Sequence, residues 1–93
     1  MNENQFQTSS LRNVAGVKRT ATVIRPLNIS GIIPAGKTSV SIANVHASGS
    51  GSVNGVTLKV TETLNFDAGG IGNTLNAINY NATGSEFLII TIE

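Results

Sequence analysis

Apolar and polar residues alternate along much of this chain. The alternation is clearest in three segments, residues 38–47, 56–60 and 64–67. Side chains two residues apart on a β-strand face the same side of a sheet, so each segment is predicted to be a strand. Residues 87–92 are instead apolar at almost every position. They predict a strand that is either central to a sandwich or covered by another chain.

Turn signals separate these predicted strands. Asn54-Gly55 lies between valines and is the strongest short signal for a hairpin. Pro34–Lys37 predicts a β-turn, because proline and glycine suit the dihedral angles of such a turn. Glu62 falls on the apolar phase of its segment, which predicts a turn or bulge near Thr61–Thr63. The glycine- and serine-rich run Ser48–Ser52 predicts a flexible loop.

Two further segments complete the predicted set of strands. Residues 17–25 are β-rich and end at Arg25-Pro26, where proline indicates an edge or a bend. Residues 74–81 predict a strand, although the spacing of Ile71, Leu75 and Ile78 also fits one face of a short helix. Six or seven short strands at intervals of about 8–12 residues predict an all-β fold. We expect a small single-domain antiparallel β-sandwich, jelly-roll-like or barrel-like, over residues 14–93.

One alternation phase of each strand is predicted to face the core. A chain of 93 residues has room for one domain and one core. The residues predicted to be mostly buried are Val40, Ile42, Val56, Leu58, Phe66, Leu88, Ile90 and Ile92.

Residues 1–13 differ from the rest of the chain because they are polar, with Phe6 and Leu11 as isolated apolar residues. This composition predicts an extended N-terminal arm that lacks the apolar content to order itself. We expect a neighbouring subunit to order the arm, with Phe6, Leu11 and Arg12 as candidate partner contacts. The alternative is that the arm lies across its own domain.

The composition narrows the classes of protein to consider. The chain has no cysteine and one histidine, so disulfides are excluded and a structural zinc site is not expected. Charged residues make up 12% of the chain, about half the usual share, and a net charge of +1 gives no reason to expect a nucleic-acid partner. No segment approaches the roughly 20 apolar residues of a membrane span. The first residues lack the features of a signal peptide, so we expect neither membrane insertion nor export.

Two segments and one histidine resemble parts of functional sites, and each also has a simpler structural interpretation. Gly31–Thr38 fits the phosphate-binding pattern G-x-x-x-x-G-K-[ST], but Thr38 opens a strand pattern instead of the helix that a P-loop needs. Asp67–Asn73 offers one carboxylate, fewer than a calcium site collects. His46 is the only general-base candidate near neutral pH, and we expect it to be an exposed residue at a strand end. We therefore predict no catalytic residue, no cofactor and no metal.

Part of the chain resembles a known family of proteins. The segments that carry the resemblance are Pro34–Asn44, Gly51–Gly55, Leu64–Gly69 and Ile78–Ile90. They are similar to small β-sandwich structural proteins of tailed bacteriophages, which occur in head, neck or tail parts, and the similarity spans roughly residues 33–93. The resemblance implies a non-enzymatic, multi-copy virion component, such as a capsid decoration subunit, made in the host cytoplasm. It carries over no functional residues.

Two functions follow as expectations. The first is a structural or assembly protein that contacts other protein subunits, most simply as a homo-oligomer. The alternative is a recognition module that binds a receptor or a glycan through the loops at residues 47–55 and 67–73.

Overall fold

The computed structural model describes residues 20–93. Within that range the chain forms eight β-strands and no helix. The strands are β1 (Ala21–Ile24), β2 (Ser30–Ile33), β3 (Ser39–Asn44), β4 (Gly51–Val53), β5 (Val56–Leu58), β6 (Thr63–Asp67), β7 (Ile78–Asn81) and β8 (Phe87–Ile92). The predicted arm, residues 1–13, lies outside the described residues, as do residues 14–19 of the predicted domain.

The strands form two antiparallel four-stranded sheets. The order is β1-β8-β3-β6 in the first sheet and β2-β7-β4-β5 in the second. In the described range β4 and β5 alone are joined as a hairpin, and the other connections cross between the sheets. Asn54 and Gly55 at the hairpin tip have φ angles of 48° and 80°, the positive values that a type I′ turn requires. The predicted all-β fold and the predicted hairpin are therefore confirmed.

The core lies between the two sheets. From the first sheet, β3 contributes Val40 and Ile42 and β8 contributes Phe87 and Ile89, all of them buried. The second sheet covers them with one buried apolar residue from each strand. These residues are Ile33, Val53, Leu58 and Ile78. Burial of an aliphatic or phenyl side chain contributes roughly 1.5–3 kcal/mol, which makes this layer the main stabilising element of the domain.

The predicted core face of β8 is wrong. The residues expected to point inward were Leu88, Ile90 and Ile92. In the structure the alternate residues Phe87 and Ile89 are buried, and Ile90 is 37% exposed. Because β8 is apolar on both faces, its pattern does not select a side. The register selects it: Ile89 lies opposite Ile42 of β3, so both side chains point to the same inner face.

The other predicted core residues divide into two groups. Val40, Ile42 and Leu58 are buried as predicted, and Phe66 packs against the core while staying partly exposed. Val56 is 57% exposed, so its prediction is wrong. It shares the alternation phase of Leu58, but it lies at the end of an edge strand beside the hairpin turn. The first sheet, which faces the inner side of β5, gives little cover at that corner.

The glycine- and serine-rich run Ser48–Ser52 is a loop at residues 48–50, as predicted, but its remaining residues form part of a strand, and both of its glycines pack closely against the sandwich. Gly51 and Ser52 belong to β4. A Cβ atom added at Gly51 would collide with the ring of Phe87, and one added at Gly49 would collide with the carbonyl oxygen of Gly84. These glycines therefore allow two elements to approach closely.

The remaining predictions of local structure are confirmed in part. The turn near Thr61 is present: Thr61 has a φ of 71°, and the backbone N–H of Glu62 donates to the carbonyl of Lys59 at 3.0 Å. Of the predicted strand at residues 74–81, only Ile78–Asn81 forms β7, and no helix replaces the rest. The edge indicated by Arg25-Pro26 is confirmed, because β1 is the outermost strand of its sheet.

Candidate functional site

The segment that matches a phosphate-binding pattern forms a strand, a turn and the start of another strand. Gly36, at the turn, has a φ of 106°, so the predicted β-turn is confirmed. The Lys37 ammonium pairs with the Glu93 carboxylate. The Thr38 hydroxyl donates to the carbonyl oxygen of Ile92 at 3.1 Å, and its backbone N–H donates to the same oxygen at 2.7 Å. Both side chains thus bind the C-terminal end of β8. Residues 31–38 form no helix whose backbone N–H groups could bind a phosphate.

The loop after β6 forms one wall of a surface groove with a volume of about 400 Å³. Thr38, Ser39 and Ile92 also line this groove. Asp67, the only carboxylate of the loop, accepts a hydrogen bond from the backbone N–H of Gly69 at 2.8 Å and so stabilises the turn. Within residues 20–93 no three side chains of His, Cys, Asp or Glu come together where a metal ion could be held.

His46 has a structural role in the loop between β3 and β4. Its Nδ1 atom accepts hydrogen bonds from the backbone N–H groups of Ser48, at 3.1 Å, and Gly49, at 2.8 Å. The residue is half-buried, so the prediction of an exposed histidine is wrong. Because Nδ1 is the acceptor, the neutral ring carries its proton on Nε2. The acceptor nitrogen that a general base would use is already occupied by the loop backbone.

The sequence analysis missed the most connected polar residue of the described range, Asn44. It is 3% exposed at the end of β3. Its Nδ2 group donates to the carbonyl oxygens of Gly49 and Leu58, both at 2.9 Å. Its Oδ1 atom accepts from the backbone N–H of His46 at 3.0 Å and from the hydroxyl of Ser85 at 3.1 Å. The amide thereby uses both donors and both acceptor positions.

A signal for Asn44 was present in the sequence. Asn44 continues the alternation phase of Val40 and Ile42, so it occupies a core-facing position of β3. A polar residue in such a position must find buried partners, because an unpaired polar group in the interior costs about 1–3 kcal/mol. The pattern could have nominated Asn44 as a buried hydrogen-bonding centre, although not its partners.

The first of the two loops expected to form a recognition surface, residues 47–55, is divided by the structure. Residues 47–50 follow β3, at the end of the sandwich where Asn44 pairs with Phe87. Residues 51–53 form β4, and the turn Asn54-Gly55 lies beside β7, where Asn54 and Asn79 are joined by two hydrogen bonds. Residues 67–73 follow β6, at the end where Ser39 pairs with Asp67.

The candidate partner contacts Phe6, Leu11 and Arg12 lie outside the described residues. Within the described part, the feature that stands out is exposed apolar surface. Ile71, in the loop after β6, is 81% exposed, and several residues of β1, β2 and their connection are more than half exposed.

Residues 20–93 contain no helix long and apolar enough to cross a membrane. Comparisons of the chain with family models, with curated proteins and with solved structures find no match. The resemblance to small bacteriophage structural proteins therefore stays a prediction.

Proposed function

We propose that this chain is a non-enzymatic structural subunit, a multi-copy virion component that works through contacts with other protein subunits. The observation that carries the proposal is the position of its exposed apolar side chains. Six large apolar side chains of the described range are more than half exposed, and four of the six lie between residues 23 and 32. These four are Val23, Leu27, Ile29 and Ile32.

These four residues belong to one margin of the sandwich. β1 and β2 are edge strands, one in each sheet, and residues 25–29 connect them. The edge strands β5 and β6 at the other margin have polar outward positions, and Val56 is the one large apolar side chain of these two strands that is more than half exposed. The polar outward positions are Thr57, Thr63, Asn65 and Asp67. Val23 and Ile32 point outward from different sheets, and Leu27 and Ile29 lie in the connection between them, so the exposed apolar side chains run around this margin. A concentration of exposed apolar surface is typical of a protein–protein contact.

The low charge of the chain favours the same function. Interface centres are depleted of charged residues, which are costly to desolvate. In the described range the charged groups are few, and Arg25 and Glu86 are paired at 3.1 Å. The groups that resembled catalytic or ligand-binding residues, namely Lys37, His46 and Asp67, are held in structural hydrogen bonds or ion pairs. This supports a role in assembly over a role in catalysis.

The virion part of the proposal is supported by the resemblance of residues 33–93 to bacteriophage structural proteins, and the all-β sandwich is compatible with it. Under this proposal Phe6, Leu11 and Arg12 of the N-terminal segment contact a neighbouring subunit. The partners are copies of the same chain and other proteins of the same particle.

Native mass spectrometry of the full-length protein, combined with a glycan array, tests the proposal. We expect a homo-oligomer or a particle-bound form and no reproducible glycan signal. A monomer that binds glycans would overturn the proposal in favour of a recognition module. Asp67→Asn is a useful probe for that outcome, because asparagine keeps the acceptor for the Gly69 N–H but removes the carboxylate from the groove. Glycan binding lost in this variant would place the binding site at residues 67–73.

A further inference from the structure

The hydrogen bonds at the two ends of β6 show which of its backbone groups point away from β3. Just before β6, the N–H of Asn44 donates to the carbonyl of Glu62 at 3.0 Å, and just after it, the N–H of Ala68 donates to the carbonyl of Thr38 at 3.0 Å. Both pairs continue the register of the two strands. Hydrogen-bonded and non-hydrogen-bonded pairs alternate along an antiparallel ladder. The even-numbered residues of β6 therefore bond to β3, and the backbone groups of the odd-numbered residues point to the open edge.

The open edge of β6 has no partner within residues 20–93. Its odd-numbered residues Thr63, Asn65 and Asp67 are all exposed, and none of their backbone groups is bonded by a loop of the described range. β6 has five residues and is the longest of the four edge strands, which have four, four and three residues elsewhere. Apart from Asp67 at its end, it carries none of the features that protect an exposed edge, such as proline, lysine or a bulge.

The sequence of β6 is complementary to itself about Asn65. When two copies of β6 are aligned antiparallel about this residue, Thr63 of each copy lies opposite Asp67 of the other, where a hydroxyl can donate to a carboxylate. The carboxylate binds the Gly69 N–H through Oδ1, so Oδ2 can accept this bond. On the inner face Leu64 lies opposite Phe66 of the other copy, and both side chains already pack against the core.

We infer that β6 pairs antiparallel with β6 of a second copy of this chain and so joins their first sheets edge to edge. The inference rests on the proposed function and names one contact between subunits, separate from the apolar margin at β1 and β2. An extended strand fits this edge because the free N–H and C=O groups have the spacing of a β-ladder. Each opposed pair of outward residues exchanges two backbone hydrogen bonds. A patch that meets its own copy in this way forms a two-fold interface.

Backbone hydrogen bonds, more than buried area, supply the affinity of this contact. Short extended segments that add to a sheet edge bind through the main chain, and their side chains add specificity. Here the specificity comes from the Thr63–Asp67 and Leu64–Phe66 pairs, which form in one register. The edge is about 17 Å long, so we expect a reversible, concentration-dependent contact that other contacts of an assembly reinforce.

Cysteine cross-linking of the full-length protein tests the pairing and its register. The chain contains no cysteine, so one introduced thiol is unique in each copy. In the proposed pair the two residues at position 65 are about 5.5 Å apart at Cα, whereas the two residues at position 63 are about 13 Å apart along the ladder. Asn65→Cys should therefore form dimers with a thiol cross-linker too short to span 13 Å. Thr63→Cys, on the same strand and face, should not.

Sedimentation velocity over a wide concentration range measures the association itself. Asn65→Pro removes an outward N–H that the bonds to β3 do not use, so the fold should persist while the dissociation constant rises at least about tenfold. Thr57→Pro is the matched control: Thr57 is the exposed middle residue of the edge strand β5, and it lies next to the hydrogen-bonded pair that closes the hairpin, so its N–H also points outward. It should leave self-association unchanged. Asn65→Ala keeps every backbone group and should change the dissociation constant by less than about threefold.

Cross-linking at position 65 but not at position 63, with weaker association of Asn65→Pro than of Thr57→Pro, supports the inference. Equal cross-linking of the two cysteine variants, or none, overturns it, as does association of folded Asn65→Pro equal to that of the wild type. If circular dichroism shows that Asn65→Pro is unfolded, the cross-linking result decides. A wild-type protein that stays monomeric up to millimolar concentration also overturns the inference. The proposed function then stands on other contacts, and it falls only if that monomer binds glycans.

Discussion

Replacement of Asn44 by alanine is expected to destabilise the domain more than any single change of an exposed polar residue. The amide makes four hydrogen bonds that join the end of β3 to the loop after it, to β5 and to Ser85. Ser85 is 41 residues away in sequence. One side chain therefore links elements of both sheets at one end of the sandwich.

The expected magnitude follows from the groups that lose their partner. The Ser85 hydroxyl has one proton and lies 3.1 Å from both Asn44 Oδ1 and the Gly49 carbonyl oxygen, so in the variant it can donate to Gly49, which stays satisfied. The carbonyl oxygen of Leu58 and the backbone N–H of His46 lose the bonds from Asn44. An unsatisfied buried group costs about 1–3 kcal/mol, so the two groups together should cost the variant about 2–6 kcal/mol. Domains of this size have total stabilities near 5–10 kcal/mol, so this loss is a large fraction of the total.

Urea denaturation followed by circular dichroism measures this loss. The midpoint should fall while the slope with urea stays the same, because the surface exposed on unfolding does not change. Asn65→Ala is the matched control: Asn65 is an exposed asparagine in the middle of β6, and its replacement should change the stability by less than about 0.5 kcal/mol. Asn44→Asp should be at least as damaging as Asn44→Ala, since a carboxylate oxygen would face two carbonyl oxygens. If Asn44→Ala and Asn65→Ala unfold at the same urea concentration, the hydrogen-bond network does not stabilise the fold as argued.

Three further predictions follow from the structure and the sequence. Ile89→Ala should lower the free energy of unfolding by about 2–5 kcal/mol because Ile89 is fully buried, and Leu88→Ala should lower it by about half as much or less. Thermal unfolding of the two variants would show the reverse order if the buried face of β8 were assigned wrongly. Lys37→Ala should remove the ion pair with Glu93 and lower the stability by less than about 1 kcal/mol. Calorimetry of the wild type with ATP or GTP should show no binding, and magnesium-dependent binding that disappears in Lys37→Ala would contradict this. Deletion of residues 1–13 should preserve the β-sheet circular dichroism signal but weaken incorporation into the assembly, and normal incorporation of the shortened protein would show that the arm is not a connector.

The secondary structure of this protein was largely predictable because its signals are local. The hairpin at Asn54-Gly55 and the turn at Gly36 follow from the positive φ angles that these residues adopt readily. The inner face of β3 follows from alternation within a few residues of Val40 and Ile42. Each of these features depends on the dihedral preferences or the spacing of residues that are neighbours in the chain.

The sequence could not determine which face of β8 is buried, because both faces are apolar and either would satisfy the hydrophobic effect. The answer came from the pairing of Ile89 with Ile42, a contact between distant parts of the chain. The same reason applies to the run Ser48–Ser52. Its composition indicated flexibility, but in the folded chain its glycines allow close approach to the Phe87 ring and the Gly84 carbonyl, which are distant in sequence.

The candidate sites show the same division. The sequence alone indicated that Thr38 begins a strand and that the P-loop match lacks its helix. Only the tertiary structure showed that Lys37 and Thr38 bind the end of β8, and that Asn44 and His46 organise the loop after β3. Hydrogen-bond partners and exposed faces arise from residues brought together by folding, and a linear pattern of apolar and polar positions does not contain those distances.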